Sequence, residues 1–555
     1  MKSAWPLLFI LSIALLLVAS ISSPSATAHI SVRENSWKSQ LLPLLSSSEE
    51  TSRFIIELSS KSPIGSRSYW LRADDCVEQL KIDDELQSVE PICSFPDPIN
   101  LRLNFKSQNQ EIKVTGLLKN KGGRAGLWLD TSRDDKTYLT VVILAPLAIY
   151  LITLSYLKKH FTDEKRLLLS FGAFGSLLRF YYFLFIPYWQ YSYDAEEHLD
   201  YILMIANNLT IPSPHQGWQF YQNPLYYIMA ALLFRFARFI DFPAVLSIQI
   251  LSLALSLITF WAILGIVKNV LKRKSVGLVL AYVVTSIAPL LIMPTSRISN
   301  DTLTMCLASL SVLAVVKSVT SGSYKLSYLS IALASLSILS KSSALPILLA
   351  NLLFFALKKG VNKPHILKQA LLALIIISPI AIRNIYHQES GIVGKDTISA
   401  INPQLSIEPS KRNFLSFDLR RVLETPFNQS YGDNYGKNNF FEYFLLSSIS
   451  GEFKILKEGL VSTSIIVGLL IILSLSTIGS FSCLRRDASL ERYLLLLFLL
   501  SFTALLIFTT SYPLSPTQEA RHIPWITITV AVFAGSGLNI LKPLYDRYRK
   551  SRNLR

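Results

Sequence analysis

The apolar stretch Leu167-Leu168-Leu169-Ser170-Phe171 runs on through Tyr182-Phe183-Leu184-Phe185-Ile186-Pro187 and then meets Tyr193-Asp194-Ala195-Glu196-Glu197-His198-Leu199-Asp200-Tyr201. The first part is about as long as a helix that crosses the hydrocarbon core of a bilayer, roughly 20 residues. The second part sets four carboxylates and a histidine within seven residues, just outside that span. Ionisable groups at such a place are costly to keep dry, so they mark a functional site. About twenty residues further on, Gln222-Asn223-Pro224-Leu225-Tyr226-Tyr227 opens another apolar run.

Composition supports the membrane reading. The chain has 555 residues, 51% of them hydrophobic and only 16% charged, with a mean hydropathy of +0.39. A soluble domain carries roughly 25% charged residues. The net charge of +17 raises the question of nucleic acid, but its distribution argues for a membrane instead. The basic residues sit in short loops between apolar runs, at Lys158-Lys159, Lys268 to Lys274, Lys358-Lys359 and Arg547 to Arg555. That is the positive-inside pattern. We therefore expect no nucleic-acid partner.

Residues 1–28 hold Lys2, an apolar run from Leu7 to Val18 and the triplet Ala26-Thr27-Ala28. This reads as a cleaved signal peptide or as an uncleaved N-terminal anchor. Either way residues 29–137 are expected outside the cytoplasm. They are polar, with alternation at Tyr69-Trp70-Leu71-Arg72, Leu101 to Phe105 and Ile112-Lys113-Val114, and turns at Pro96-Asp97-Pro98 and Lys121-Gly122-Gly123. Short strands so spaced predict a small β-sandwich-like domain. Its Asp-Asp and Gly-Gly turns resemble those of jelly-roll carbohydrate-binding modules, and a domain that packs without binding sugar fits equally well. Cys76 and Cys93 lie in this region, and a disulfide between them suits an oxidising compartment. Cys306 and Cys483 fall in or beside apolar spans and read as core residues.

From 138 to 541 we expect 11–12 transmembrane helices, with spans near 138–157, 167–187, 243–267, 276–293, 301–317, 326–340, 343–357, 369–385, 461–481, 490–510 and 522–541. Residues 224–240 suit a helix lying in the membrane interface, because Arg235 and Arg238 make the segment amphipathic. With residue 137 outside, nearly every basic cluster becomes cytoplasmic, including the tail 542–555. The outer segments are then the loops 188–223 and 386–458, the turn Ser296-Arg297-Ile298-Ser299-Asn300-Asp301, and Ser515 to His522.

Five local stretches in this order resemble the GT-C membrane glycosyltransferases. The likeness is strongest to the dolichyl-phosphate-mannose–protein mannosyltransferase and aminoarabinose-transferase-like branch. Asp194 to His198 with Tyr201 is similar to that family's acidic loop motif. Gln222 to Tyr227 is similar to its Pro-Pro-Leu-Tyr-Tyr element, with Asn223 in place of the first proline. Arg297 to Asp301, Tyr443 through Gly451-Glu452-Phe453, and Glu519-Ala520-Arg521-His522 complete the series, with His522 where the family element has tyrosine. Ala195 follows Asp194 where many relatives carry a second acid. The resemblance covers roughly 165–541 and implies transfer of a sugar from a polyprenyl-phosphate carrier to a glycan, lipid or protein acceptor.

Such a transfer needs a base for the acceptor hydroxyl and positive charge for the departing phosphate. Asp194 is the candidate base, with Glu197 next and His198 one helical turn along on the same face. Glu196 and Glu197 also suit acceptor binding, cation coordination or plain solvation. A divalent cation is compatible with these residues, and no Cys/His spacing resembles a zinc site. For the phosphate, Arg521 is the leading candidate, followed by Lys341 and Arg383 at the outer ends of their spans, then Arg297, with Tyr226 as a further substrate-binding candidate. His215 and Trp218 suit either a sugar-stacking role or packing within the loop. The alternative function is a lipid or sugar transporter or flippase. Transporters show internal repeats and midplane charges, whereas here no repeat is visible and the charges gather in the outer segments. The compact loops suit a bacterial cytoplasmic membrane.

This topology is testable. Cysteine-accessibility labelling should find residues 30–137, 188–223 and 386–458 outside and the C-terminus inside. Labelling of a cysteine placed at residue 430 only from the cytoplasmic side would overturn it.

Overall fold

The computed structural model describes residues 25–31, 38–40, 44–46, 52–59, 68–73, 76–87, 92–93, 101–104, 111–119 and 125–131 of the N-terminal region. From 136 to 552 it describes all but 161–162, 187, 189–190, 193, 272–274, 359–362, 387–404, 409, 429–435, 452, 454–458 and 486–488. The apolar run Leu7 to Val18, the turns at 96–98 and 121–123 and much of the loop 386–458 therefore lie outside the described residues. The chain divides into two units, Met1–Lys159 and His160–Arg555.

The first unit holds the expected β-rich region as two antiparallel sheets. One has β2 (Lys38–Gln40), β1 (Ser25–Ser31), β4 (Ser52–Ser59), β10 (Glu111–Lys119), β6 (Cys76–Ile82) and β7 (Glu85–Leu86) in that order, with β8 (Ile92–Cys93) also on β6. The other runs β3 (Leu44–Ser46), β11 (Ala125–Thr131), β5 (Ser68–Ala73), β9 (Leu101–Asn104). Alternation buries Phe54 and Ile56 on β4 and Ile112 and Val114 on β10, while on β6 a bulge at Gln79, φ 50°, brings Val77 and Leu80 to one buried side, all at most 4% exposed. Between β6 and β7, Asp83 and Asp84 have φ 48° and 67°, as a two-residue type I′ hairpin demands of both central positions. The Asp83 carboxylate accepts from Lys113 N at 2.8 Å, pinning the turn to β10. Strand β1 runs across the Ala26-Thr27-Ala28 triplet, which pairs with β4. Cys76 is disulfide-bonded, and the β6–β8 register sets Cys93 opposite it.

In the second unit helices lie over each of the expected spans from 167 onward. Among the described residues six are long and apolar enough to cross a membrane, and a seventh is a bent pair, Val276–Ile287 with Pro289–Thr295, at 54°. Pro289 has no N–H for the helical ladder, which accounts for a bend there. The helices Tyr324–Ser340 and Ile526–Lys542 and the segment Ser342–Leu357 are apolar but shorter.

Small residues let the helices approach closely, as expected where no hydrophobic force drives helices together in lipid. Helix Asn300–Ser321 packs on Tyr324–Ser340 through Ser311 Oγ to Ser330 O, Ser337 Oγ to Thr304 O and Thr304 Oγ1 to Ser340 Oγ, at 2.7, 2.9 and 2.9 Å. The C-terminal helix Ile526–Arg552 crosses two others at glycines. A methyl group on Gly277 would stand 2.0 Å from the Gly535 carbonyl oxygen, and one on Gly537 would stand 2.0 Å from that of Leu475.

These contacts are with backbone, so they cannot yield by a rotamer change. Gly537→Ala should therefore destabilise the protein by about 1–3 kcal/mol or more, the usual cost of overpacking. Gly468→Ala, where the added carbon meets nothing within 4 Å, should be neutral or slightly stabilising. Thermal unfolding of both variants in the same detergent checks the pair, and equal melting temperatures would rule out the close crossing.

Candidate functional site

Asp194 caps the helix Ala195–Asn208 in a left-handed backbone conformation, φ 46° and ψ 37°. That conformation is uncommon outside glycine and is tolerated best by Asn and Asp. Its carbonyl accepts the first helical bond, from His198 N at 2.9 Å. Its carboxylate is left for other work. Oδ2 accepts from Gln219 Nε2 at 2.9 Å, and the Trp218 indole lies nearby. Asp194 is exposed to solvent, yet it stands in a recess crowded by protein atoms. The crowding pushes its carboxyl up, while Arg521 and Lys341 pull it down. The net effect holds the carboxyl above the usual carboxylate range, with the two nearby cations offsetting part of the crowding.

Those cations arrive from distant segments. Lys341 follows helix Tyr324–Ser340 and pairs with Asp301, at the start of helix Asn300–Ser321, at 2.5 Å. Both side chains are nearly buried, at 13% and 14% exposure. Arg521 lies on the turn Ala520–His522 and pairs with the fully buried Glu519 at 2.8 Å. Arg297, Asp301 and Arg521 line a single narrow cleft whose other walls include Leu290, Leu291 and Met305. A polar head and an apolar body in one cleft suit an amphipathic ligand.

Further bonds tie these segments together. Arg297 Nε donates to Tyr191 O at 2.7 Å, and its guanidinium lies over the Phe453 ring at 5.6 Å. Ala520 N donates to Ser447 Oγ at 2.9 Å, and Gln518 Nε2 to Lys437 O at 2.6 Å. Asn300 Nδ2 reaches Gln222 Oε1 at 3.2 Å, and Asn223 Nδ2 reaches Ile338 O at 2.6 Å.

The remaining sequence candidates take different places. The His198 ring does not face Asp194: its Nδ1 meets Tyr227 OH at 2.7 Å. Burial holds its pKa down at about 3, and burial does the same to His522, so both imidazoles are neutral at physiological pH. Arg383 grips three backbone carbonyls of the loop, Phe220 O at 2.7 Å, Pro212 O at 3.3 Å and Gln222 O at 3.5 Å. Tyr226 is fully buried, edge-on to Tyr227. Glu196 Oε1 accepts from Tyr188 OH at 3.2 Å, and Glu197 is half-buried on the same first turn. Among the described residues no three His, Cys, Asp or Glu side chains are grouped to hold a metal ion.

From the sequence, Asp301 belongs only to the turn it shares with Arg297, and Gln219 carries no role. The available signal was an acid and a cation at the expected outer ends of two different spans. Nothing local marks Gln219.

No curated protein matches the sequence. Among solved structures, the Archaeoglobus fulgidus oligosaccharyltransferase in the apo form is similar at 10% identity and TM-score 0.42, over 72% of this chain and 52% of that one. The arabinosyltransferase EmbB from Mycobacterium smegmatis is similar at 13% identity and TM-score 0.37, over 96% of this chain and 52% of that one. The chain thus spans about half the length of each. Residues 222–382 match the family described as dolichyl-phosphate-mannose-protein mannosyltransferase, a range that holds the Gln222–Tyr227 and Arg297–Asp301 stretches and Lys341. The acidic loop and the Glu519–His522 element fall outside it. The match supports a membrane glycosyltransferase, and the resemblance read from the motifs is borne out: over residues 222–382 this chain is similar to the dolichyl-phosphate-mannose-protein mannosyltransferases of the GT-C class.

Proposed function

We propose that the chain transfers a sugar from a polyprenyl-phosphate carrier to a hydroxyl group of a glycan, lipid or protein acceptor. The reaction would take place at the outer face of the membrane, in a bacterial cytoplasmic membrane. The observation that carries this reading is that one carboxylate, Asp194, shares its surroundings with Arg521 and Lys341, which come from separate parts of the chain. A base beside two cations is what displacement of a phosphate by a hydroxyl requires.

In this reading the Asp194 carboxylate takes the proton of the acceptor hydroxyl. The oxygen forms a bond to the anomeric carbon as the bond from that carbon to the phosphate oxygen breaks. The electron pair leaves with the phosphate, and the configuration inverts. Arg521 grips the departing phosphate, because a guanidinium can offer two parallel hydrogen bonds where a lysine offers a point charge. Lys341 and Arg297 add positive potential at the same cleft. Its apolar walls suit the first isoprene units of the carrier. Glu197 is the alternative base. Arg383 holds the loop that carries Gln219, His198 and Tyr226 brace the helix behind Asp194, and a disulfide between Cys76 and Cys93 staples β6 to β8.

Asp194→Asn should keep expression and membrane insertion while lowering transfer by about 10² to 10⁴-fold, the range for loss of a general base. Mass spectrometry of glycans and lipid carriers in a deletion strain complemented with this variant reads the effect. Wild-type glycans there would move the base to Glu197. Arg521→Lys should weaken donor use and Arg521→Ala should weaken it further, with acceptor use little changed. Apparent KM values measured separately for donor and acceptor decide this. An unchanged donor KM and rate in Arg521→Ala would shift the phosphate to Lys341 or Arg383.

A further inference from the structure

Trp218 is 41% exposed, while the residues that follow it, Gln219 and Phe220, are 3% and 4% exposed. The loop is therefore anchored immediately beside an aromatic ring that is left open. Phe220 packs on Tyr201 with ring centroids 4.8 Å apart, and its carbonyl is held by Arg383. An exposed tryptophan on a membrane protein commonly anchors in the headgroup layer, its N–H turned towards water or lipid. Here the neighbouring Gln219 side chain donates to the Asp194 carboxylate at 2.9 Å, which brings the indole close to that carboxylate. The exposed part of the ring therefore stands beside a carboxylate that Gln219 holds in place.

We propose that Trp218 and Asp194 form a pyranose subsite, so that the acceptor is a glycan whose sugar ring lies on the Trp218 indole. This deepens, and rests on, the assignment of Asp194 as the base. A pyranose has an apolar row of C–H bonds on its face and hydroxyls around its rim. The face fits a flat aromatic surface, and the rim sets a hydroxyl at the edge where the Asp194 carboxylate accepts its proton. A Ser or Thr side chain on a peptide has the hydroxyl but no such apolar face. A rigid aromatic also provides contact area at small entropic cost.

The test uses the full-length protein in lipid nanodiscs, with mannotriose and a Ser/Thr-containing peptide as separate probes in saturation-transfer NMR titrations. Mannotriose should show saturation at its ring C–H protons. Trp218→Ala should raise its dissociation constant by roughly tenfold or more, whereas Trp218→Phe, which keeps a ring, should stay within about threefold. No mannotriose binding by the wild-type protein, equal binding by Trp218→Ala, or Trp218-dependent binding of the peptide alone would each overturn the subsite. A folded Trp218→Phe variant guards against misfolding as the cause. The base assignment is tested apart from this. If Asp194→Asn retains transfer, that reading fails, while the mannotriose titration still reports on Trp218.

Discussion

The ion pair between Lys341 and Asp301 is the interaction on which the rest of the site depends. It joins the end of helix Tyr324–Ser340 to the start of helix Asn300–Ser321, the pair already packed through serine and threonine side chains. Either charge alone, nearly buried at a helix end in a membrane protein, would be expensive. Removing one partner of a buried pair typically costs about 3–5 kcal/mol, because the other is left uncompensated. The two charges therefore hold each other at one depth, and with them Asn300, which reaches Gln222, and Arg297, which reaches Tyr191.

Around that pair the electrostatics are asymmetric. Crowding raises the Asp194 carboxyl, Arg521 and Lys341 offset part of that rise, and Asp301 adds to it more weakly. The two histidines nearby are kept neutral by burial, so neither competes for a proton near pH 7. A carboxylate that keeps solvent access beside fixed cations can both take up a proton and lose it again. Buried imidazoles held to Tyr227 and to the Pro516 carbonyl suit a structural part instead. The same division separates Arg521, which lines the cleft, from Arg383, whose guanidinium is engaged by three carbonyls.

Spans, strands and the acidic loop were legible in the chain because they follow from local periodicity and charge. Eighteen or more apolar residues in a row can satisfy their backbone in lipid only as a helix, and alternation in β4 or β10 puts every second side chain inward. Span boundaries moved by a few residues for the same reason, since helix ends are set by caps such as Ser299 and Ser275 rather than by hydropathy. The bend at Pro289 was hidden within an otherwise continuous apolar run.

What the sequence by itself determined was the membrane class, the polar β-rich region and the identity of the ionisable groups, since each depends on neighbours a few residues away. Which of those groups meet was decided only by the tertiary structure. Asp194 and His198 share a helix face by spacing, yet the ring turns to Tyr227 because the buried face of that helix packs against helix Leu225–Phe239. Asp301 shares a short turn with Arg297, four residues away, yet pairs with Lys341, forty residues away. Such partners are chosen by how helices pack, and packing is a property of the whole bundle that no local pattern records.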